Sequence, residues 1–378
     1  MRGKGQKIPG AWSTGLRIGG QLDRYVGELF IGSYAVAILL IVGIFLIVDM
    51  TANLDRYMHT GEVGAPPSGW LVVRLYLLQI PFIFLQVAPF VTLVGGLFTV
   101  SKLMANREVV AALGAGVSAR RVLLPVFLCA GLLGVGMFGL RELATESIGE
   151  RRDSLVDRLV ERRDSPVYEN IWVKDTRGNP IRIAEYYPSV GGSNPRIHGF
   201  AATLNQETDW VKVTARNATF VNGIWELEEG YRFSIEKDSG QGTEEVTTLE
   251  TGLTPRDIRT AWKAREAPTD LSFKELQELS QRDPDNLQWH TLLQVNLAFP
   301  FAHIVLLLVA LPFLLRYERS KGPAGAGIGF ILCIFYFALD FICRSLGLHG
   351  ELGPMIAGWL PILLFGSLGV VVFSSSRT

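Results

Sequence analysis

Six stretches of the chain run apolar for long enough to cross a hydrocarbon layer as helices, which takes roughly 20 residues each. The clearest is Leu29 to Val48, LFIGSYAVAILLIVGIFLIV. The others lie at about 75–100, 122–140, 292–315, 324–342 and 354–373. Pro81 and Pro89 are expected to interrupt the second span, and Pro300 and Pro312 the fourth. Bent spans suit a cavity wall, although prolines are common in membrane helices generally.

Between the third and fourth spans the period changes. A charged helical stretch, RELATESIGERRDSLVDRLVERRD, continues the third span out of the membrane and is closed by Pro166. Two-residue alternation follows. Val211, Val213 and Ala215 share one face of WVKVTAR, with Lys212, Thr214 and Arg216 on the other. Tyr231, Phe233 and Ile235 alternate with Arg232, Ser234 and Glu236. Asn222-Gly223 lies between two such runs, the strongest short hairpin signal. Further strands are expected at IWVKD, PIRIAEYY, RIHGFAATL and EEVTTLE. Short strands separated by turns argue for a sandwich or open barrel. Trp172, Phe200, Phe220, Trp225 and Phe233 are the bulky candidates for its interior, which is either an ordinary protein core or a lipid-accepting one. Ser272 precedes the helical run FKELQELSQ, and Pro284 closes it before the chain returns to the membrane.

The fold class is therefore an α-helical membrane protein with six transmembrane helices, three on each side of an inserted all-β domain. The expected division is 1–143, 144–288 and 289–378. No repeat relates the two halves.

Composition agrees: 48% of the 378 residues are hydrophobic and 19% charged. Net charge is zero but unevenly spread. Residues 141–289 hold 20 Lys and Arg against 27 Asp and Glu, leaving 16 basic and 9 acidic residues elsewhere. No block is basic enough for nucleic acid. Short loops orient a membrane chain by their Lys and Arg. Arg2, Lys4, Lys7, Arg17 and Arg24 precede the first span; Lys102, Arg107, Arg120 and Arg121 lie between the second and third; Arg316, Arg319 and Lys321 lie between the fourth and fifth. The opposite side has Arg56, and none in SLGLHGELG. Both termini are thus expected in the cytoplasm and the acidic insert outside. The first apolar run is too long for a signal h-region and reads as an uncleaved span.

Candidate chemistry is sparse. Cys129, Cys333 and Cys343 have no metal-ligand spacing and read as small packing residues. His59, His198, His290, His303 and His349 are scattered, and His303 shares the fourth span with Asn296. There is no G-x-x-x-x-G-K-[ST], G-x-S-x-G or H-E-x-x-H, so no metal, cofactor or catalytic residue is expected. No carboxylate sits mid-span, which disfavours a proton-coupled carrier. Arg74, Arg141 and Arg344 lie near the outer membrane face, as do Asp49 and Asp340. Such groups either snorkel and pair structurally or meet an anionic lipid headgroup.

One connection stands out: MANREVVAALGAGVSARRV, residues 104–122. REVVAAL reads as a short helix that Gly114 and Gly116 break, and Ser118 as the N-cap of the next helix. Small side chains let another surface approach, and Glu108 offers a charge to a basic partner. The plainer reading is an interfacial re-entry helix with snorkelling arginines.

Together with LDRY before the first span, the outward insert, and GFILCIFYFALD followed by LGLHGELGPMIAGWLPILLF at the end, this stretch resembles the LptF/LptG family of lipopolysaccharide export permeases. NIWVKD and FYFALD are more similar to the G-type chain. The resemblance implies a non-enzymatic permease subunit of an ABC exporter in the bacterial inner membrane. It implies an LptB-like ATPase dimer, a paralogous permease chain in an LptF/LptG heterodimer, and an LptC-like partner reached through a periplasmic jellyroll. Lipopolysaccharide would enter laterally between the first and fifth spans of the two chains. Arg107, Glu108, Gly114, Gly116, Ser118 and Arg120 would couple to the ATPase. Family members often carry basic residues along the first span; IGSYAVAILLIVGIFLIV has none, so Arg74, Arg141, Arg344 or the partner chain would have to meet lipid phosphates. The competing reading is a membrane-anchored, lipid-binding β-domain without transport activity.

Overall fold

The computed structural model describes residues 20–58, 69–149, 151–152, 155, 167–189, 193–206, 209–234, 243–249, 251–317 and 324–375. His59, Pro166, Ile235 and most of the basic N-terminal and fourth-to-fifth loop residues lie outside that set, as does much of the charged stretch after the third span.

Among the described residues, six helices are long and apolar enough to cross a membrane. They are α1 (Gln21–Met58), α2 (Gly69–Ala105), α4 (Ala119–Ser147), α7 (Leu287–Tyr317), α8 (Ala324–Leu348) and α9 (Pro354–Ser375). A seven-residue helix, α3 (Glu108–Gly114), joins α2 to α4. At 1.5 Å per residue, the 37 residues of α2 reach about 55 Å, so it extends beyond a ~30 Å hydrocarbon core. The prolines lie within their helices and do not end them. Pro81 and Pro89 lie inside continuous α2, and Pro300 and Pro312 inside continuous α7. Neighbouring helices cover such positions, so the missing donor does not force an end.

The bundle is organised around α7. In its most apolar stretch 61% of residues are buried, against 17% for α1 and 22% for α8. Glycine allows the close crossings this requires. A Cβ at Gly134 of α4 would lie 2.6 Å from the Pro300 carbonyl oxygen of α7. On α9, Gly358 lies against the α7 backbone at Gln294 and Val295, and Trp359 donates its indole N–H to Gln294 Oε1 at 3.0 Å. Gly358 and Trp359, within the GWLP of the C-terminal run, thus form a packing joint between α9 and α7.

The insert is an antiparallel sheet. Its strands are β1 (Tyr168–Lys174), β2 (Pro180–Tyr187), β3 (Arg196–Gln206), β4 (Asp209–Val221), β5 (Ile224–Glu228), β6 (Tyr231–Ser234), β7 (Glu244–Glu245) and β8 (Thr248–Leu249). Asn222 (φ 50°) and Gly223 (φ 90°) form the two-residue turn between β4 and β5, the left-handed pair a type I′ hairpin needs. Asn217 pairs with Glu228 and Thr214 with Tyr231, so β5 and β6 lie in one register against β4, interrupted at Glu229 and Gly230. β8 pairs with β5 and β7 with β6. The described strands therefore run as a meander, and the crossing connections of a jellyroll are not among the described pairings.

The sheet bends coherently. Ile171, Ile183, Phe200 and Ala215 form one buried row across β1 to β4, and Tyr168, Tyr186, Ile197 and Ala218 form the next. Within each strand these residues are three apart, not two, so the in-out phase shifts at one level across all four strands. Asn170 (φ 52°) and Gly199 (φ 71°) lie in the shift, where left-handed backbone re-aims the strand.

Two helices return the chain to the membrane. Thr254 and Asp257 make a capping box for α5 (Pro255–Glu266), and Ser272 and Glu275 one for α6 (Phe273–Arg282). α5 covers the β1 edge: Trp262 stacks on Tyr168 at 4.5 Å, and Arg265 donates to the Asn170 carbonyl at 2.7 Å. The insert is tied to the bundle through α4 and the residues that follow it. Glu142 accepts from the Phe273 backbone N–H at 3.0 Å, and Arg152 pairs with Asp270 at 3.0 Å.

Candidate functional site

Among the described residues, two places in the membrane part concentrate polar groups: the α3 corner at one end, and a cavity at the end nearer the insert.

The corner is built by backbone geometry. Arg107 occupies the N-cap of α3 in the left-handed region (φ 60°) and gives no side-chain cap. At the other end the Gly116 N–H donates to the Leu113 carbonyl, and the Val117 N–H to the Ala112 carbonyl, with Gly116 at φ 81°. This is the Schellman closure, which puts its left-handed residue at Gly116. Gly114 is simply the last helical residue, so only one of the two predicted breakers stops the helix. Ser118 holds the N-cap position of α4, but its side chain makes no capping bond. Its carbonyl accepts from Arg121 N and Val122 N instead.

Buried Val109 fixes one side of α3 in the bundle core. The other side presents Val110, 52% exposed, with Ala111, Gly114, Ala115 and Gly116. A Cβ at Gly114 or Gly116 would meet nothing within 4 Å. Glu108 points within the chain: its Oε1 accepts from Tyr25 Oη and from Asn106 Nδ2, each at 3.0 Å. Arg120 reaches the α9 end, with Nη2 3.4 Å from the Ser374 carbonyl and its guanidinium 5.7 Å from the Phe373 ring centre. Arg121 makes a two-pronged pair with Asp23 at 2.5 and 2.7 Å.

The cavity has a volume of about 570 Å³. Helices α1, α2, α4, α7, α8 and α9 all contribute to its wall. Arg141, Arg152 and Arg344 line it, and so do Asp49, Asp270 and Asp340. Arg344 pairs with Asp340 at 2.5 Å, and Arg152 pairs with Asp270 and lies over the Phe82 ring at 4.3 Å. Formal charge therefore balances among the described lining residues. Asn296 Nδ2 and Arg344 Nε are buried with no hydrogen-bond partner among the described residues, donors that a polar guest could use. Of the three candidate headgroup residues the structure brings Arg141 and Arg344 together. Arg74 is exposed on the first turns of α2 and does not line the cavity.

The five interior candidates of the insert divide. Phe200 and Trp225 are buried, and the Trp225 indole donates to the Leu253 carbonyl at 2.8 Å. Phe220 is half-buried, its ring 4.9 Å from that of Trp225. Trp172 and Phe233 are not interior residues: they are 62% and 37% exposed. Trp172 pairs across the strands with Arg182 and Phe233 with Lys212, both on the outer face, and each cation lies near the ring.

Sequence reasoning missed Asp23, Tyr25 and Asn106 as structural partners of the corner. LDRY was visible as a motif, but nothing local says that its acid and its phenol meet residues 98 and 83 positions away. No curated protein matches the chain. The model of one family, described as lipopolysaccharide export system permease LptF/LptG, matches residues 24–375, from the first turn of α1 to the last residue of α9.

Proposed function

The chain belongs to the LptF/LptG family of lipopolysaccharide export permeases, and from that premise we propose that it is one of two permease subunits of an ABC exporter. It lifts lipopolysaccharide out of the bacterial inner membrane and passes it to a periplasmic bridge. A separate LptB-like ATPase dimer supplies the energy. On this reading residues 1–143 and 289–378 form the membrane part, with both termini cytoplasmic, and 144–288 form the periplasmic part that meets an LptC-like partner.

The observation that carries the reading is the α3 corner. A helix that receives force must be short, seated and open to its partner. α3 is seated through Val109 and closed by Gly116, and its outer side is small and exposed. The sequence has no nucleotide-binding loop of its own, in keeping with a separate ATPase. Sparse burial of α1 and α8 leaves two apolar faces for lipid and a second permease chain. The cavity offers Arg141 and Arg344 to an anionic headgroup. Two states of this cavity, one favoured when the ATPase closes, would raise the lipid.

The test is purification of the tagged chain in detergent from its native membrane. An ATPase and a second permease chain are expected in the same peak. Recovery of the chain alone, under conditions that keep other membrane assemblies intact, would sink the proposal and favour an anchored β-domain protein.

A further inference from the structure

The first turn of α1 holds both ends of the α3 corner. Asp23 takes both prongs of Arg121 at the start of α4, and Tyr25 donates to Glu108 at the start of α3. The Asp23 and Arg121 side chains are only 11% and 26% exposed, so that pair is sheltered from water. Between them Val26 of α1 and Val109 of α3 are buried in the same core. Beyond this turn α1 shows much of its surface outward, with Leu39, Ile44, Ile47 and Val48 exposed.

We propose that Asp23 and Tyr25 are positioning residues that make the start of α1, α3 and the start of α4 move as one body. Force applied to α3 then reaches α1 instead of being absorbed by the turns at Arg107 and Gly116. The transmission rests on the reading above that α3 receives the push; the clasp itself does not. While it stays closed, a packed, charge-paired joint passes displacement on instead of yielding gradually.

The full-length chain carrying Gly32→Cys and Gly114→Cys tests the clasp, and the same clasp variants without these cysteines test the transmission. Both sites have open space around them, and spin labels there report the distance from α1 to α3. Cys129→Ala removes the one half-exposed native thiol, since Cys333 and Cys343 are buried. The unaltered clasp is expected to give one narrow distance peak. Tyr25→Phe and Asp23→Arg should lose it, and the swap Asp23→Arg with Arg121→Asp should recover it. Unchanged peaks in Tyr25→Phe and Asp23→Arg overturn the clasp. In the complex with its ATPase, Asp23→Arg, which loses both prongs of a sheltered pair, should hydrolyse roughly tenfold more ATP per lipid released; Tyr25→Phe, at a residue 44% exposed, should raise the ratio by less, and the charge swap should recover it. A ratio that stays constant while the peak broadens overturns the transmission. Absence of any ATPase stimulation by the unaltered chain overturns the permease reading instead, and the distance measurement still decides the clasp.

Discussion

Gly134→Ala should loosen the α4–α7 crossing, whereas Gly136→Ala, two residues on, should not. At Gly134 the new methyl would lie 2.6 Å from the Pro300 carbonyl oxygen, 3.2 Å from its Cα and 3.3 Å from its carbonyl carbon. All three are backbone atoms of a helix packed on several sides, so the methyl cannot be accommodated by turning a side chain. The helices would have to part by roughly half an ångström, and overpacking of that kind costs about 1–3 kcal/mol. Replacing a helical glycine by alanine returns roughly 0.5–1 kcal/mol wherever the space is open. Gly136 has nothing within 4 Å, so its variant keeps only that gain. The two variants should therefore differ by about 1–3 kcal/mol, with Gly136→Ala the more stable. Heating the detergent-purified chain at one fixed rate and measuring the fraction that still elutes as a single species gives the comparison, because unfolding of such proteins is commonly irreversible. The Gly134→Ala midpoint should fall a few degrees below that of Gly136→Ala. A midpoint equal to or above it would mean that α4 and α7 do not approach as closely as described, and the cavity wall they form would need another arrangement.

Three further outcomes follow from the same geometry. Gly116→Ala places a side chain at φ 81° and should cost about 1–2 kcal/mol; recovery of ATPase with the tagged chain should fall while membrane insertion is unchanged. In the insert, Trp225→Ala should cost about 3–5 kcal/mol and expose the sheet to limited proteolysis, whereas Trp172→Ala should change stability by no more than about 0.5 kcal/mol. For the cavity, Arg344→Gln should reduce the phosphate that co-purifies with the chain, Asp340→Asn should raise it by freeing the Arg344 fork, and Arg74→Gln should leave it unchanged; bound lipid phosphorus per chain is the measurement.

Apolar run length was enough to locate all six spans, and Asn222-Gly223 was enough to locate one hairpin, because both signals are local and strong. The outward position of Phe233 was also readable. Counting back through that hairpin puts it opposite Lys212, and the face opposite Val211 and Val213 is outside. Trp172 is the same case, lying between inward Ile171 and Val173. Bulk suggested an interior for both residues, but alternation decides the face. The bend at Asn170 and Gly199 was not readable, since an asparagine or glycine in a strand does not announce a positive φ. Nor was the difference between Arg74 and Arg141, which sit at similar span ends and are separated only by which way their helices face. The clasp at Asp23 and Tyr25 depends on helix packing and so leaves no trace in any local pattern.

The equality of three arginines and three aspartates around the cavity bears on how a guest would leave. In a site with surplus positive charge, an anion adds new attraction and is held tightly. Here Arg344 and Arg152 already have carboxylate neighbours at 2.5 and 3.0 Å. An entering phosphate would exchange one acceptor for another, and its net gain would be the small difference between them. Such a cavity favours turnover over retention: when the guest departs, Arg344 and Arg152 each have a carboxylate to return to.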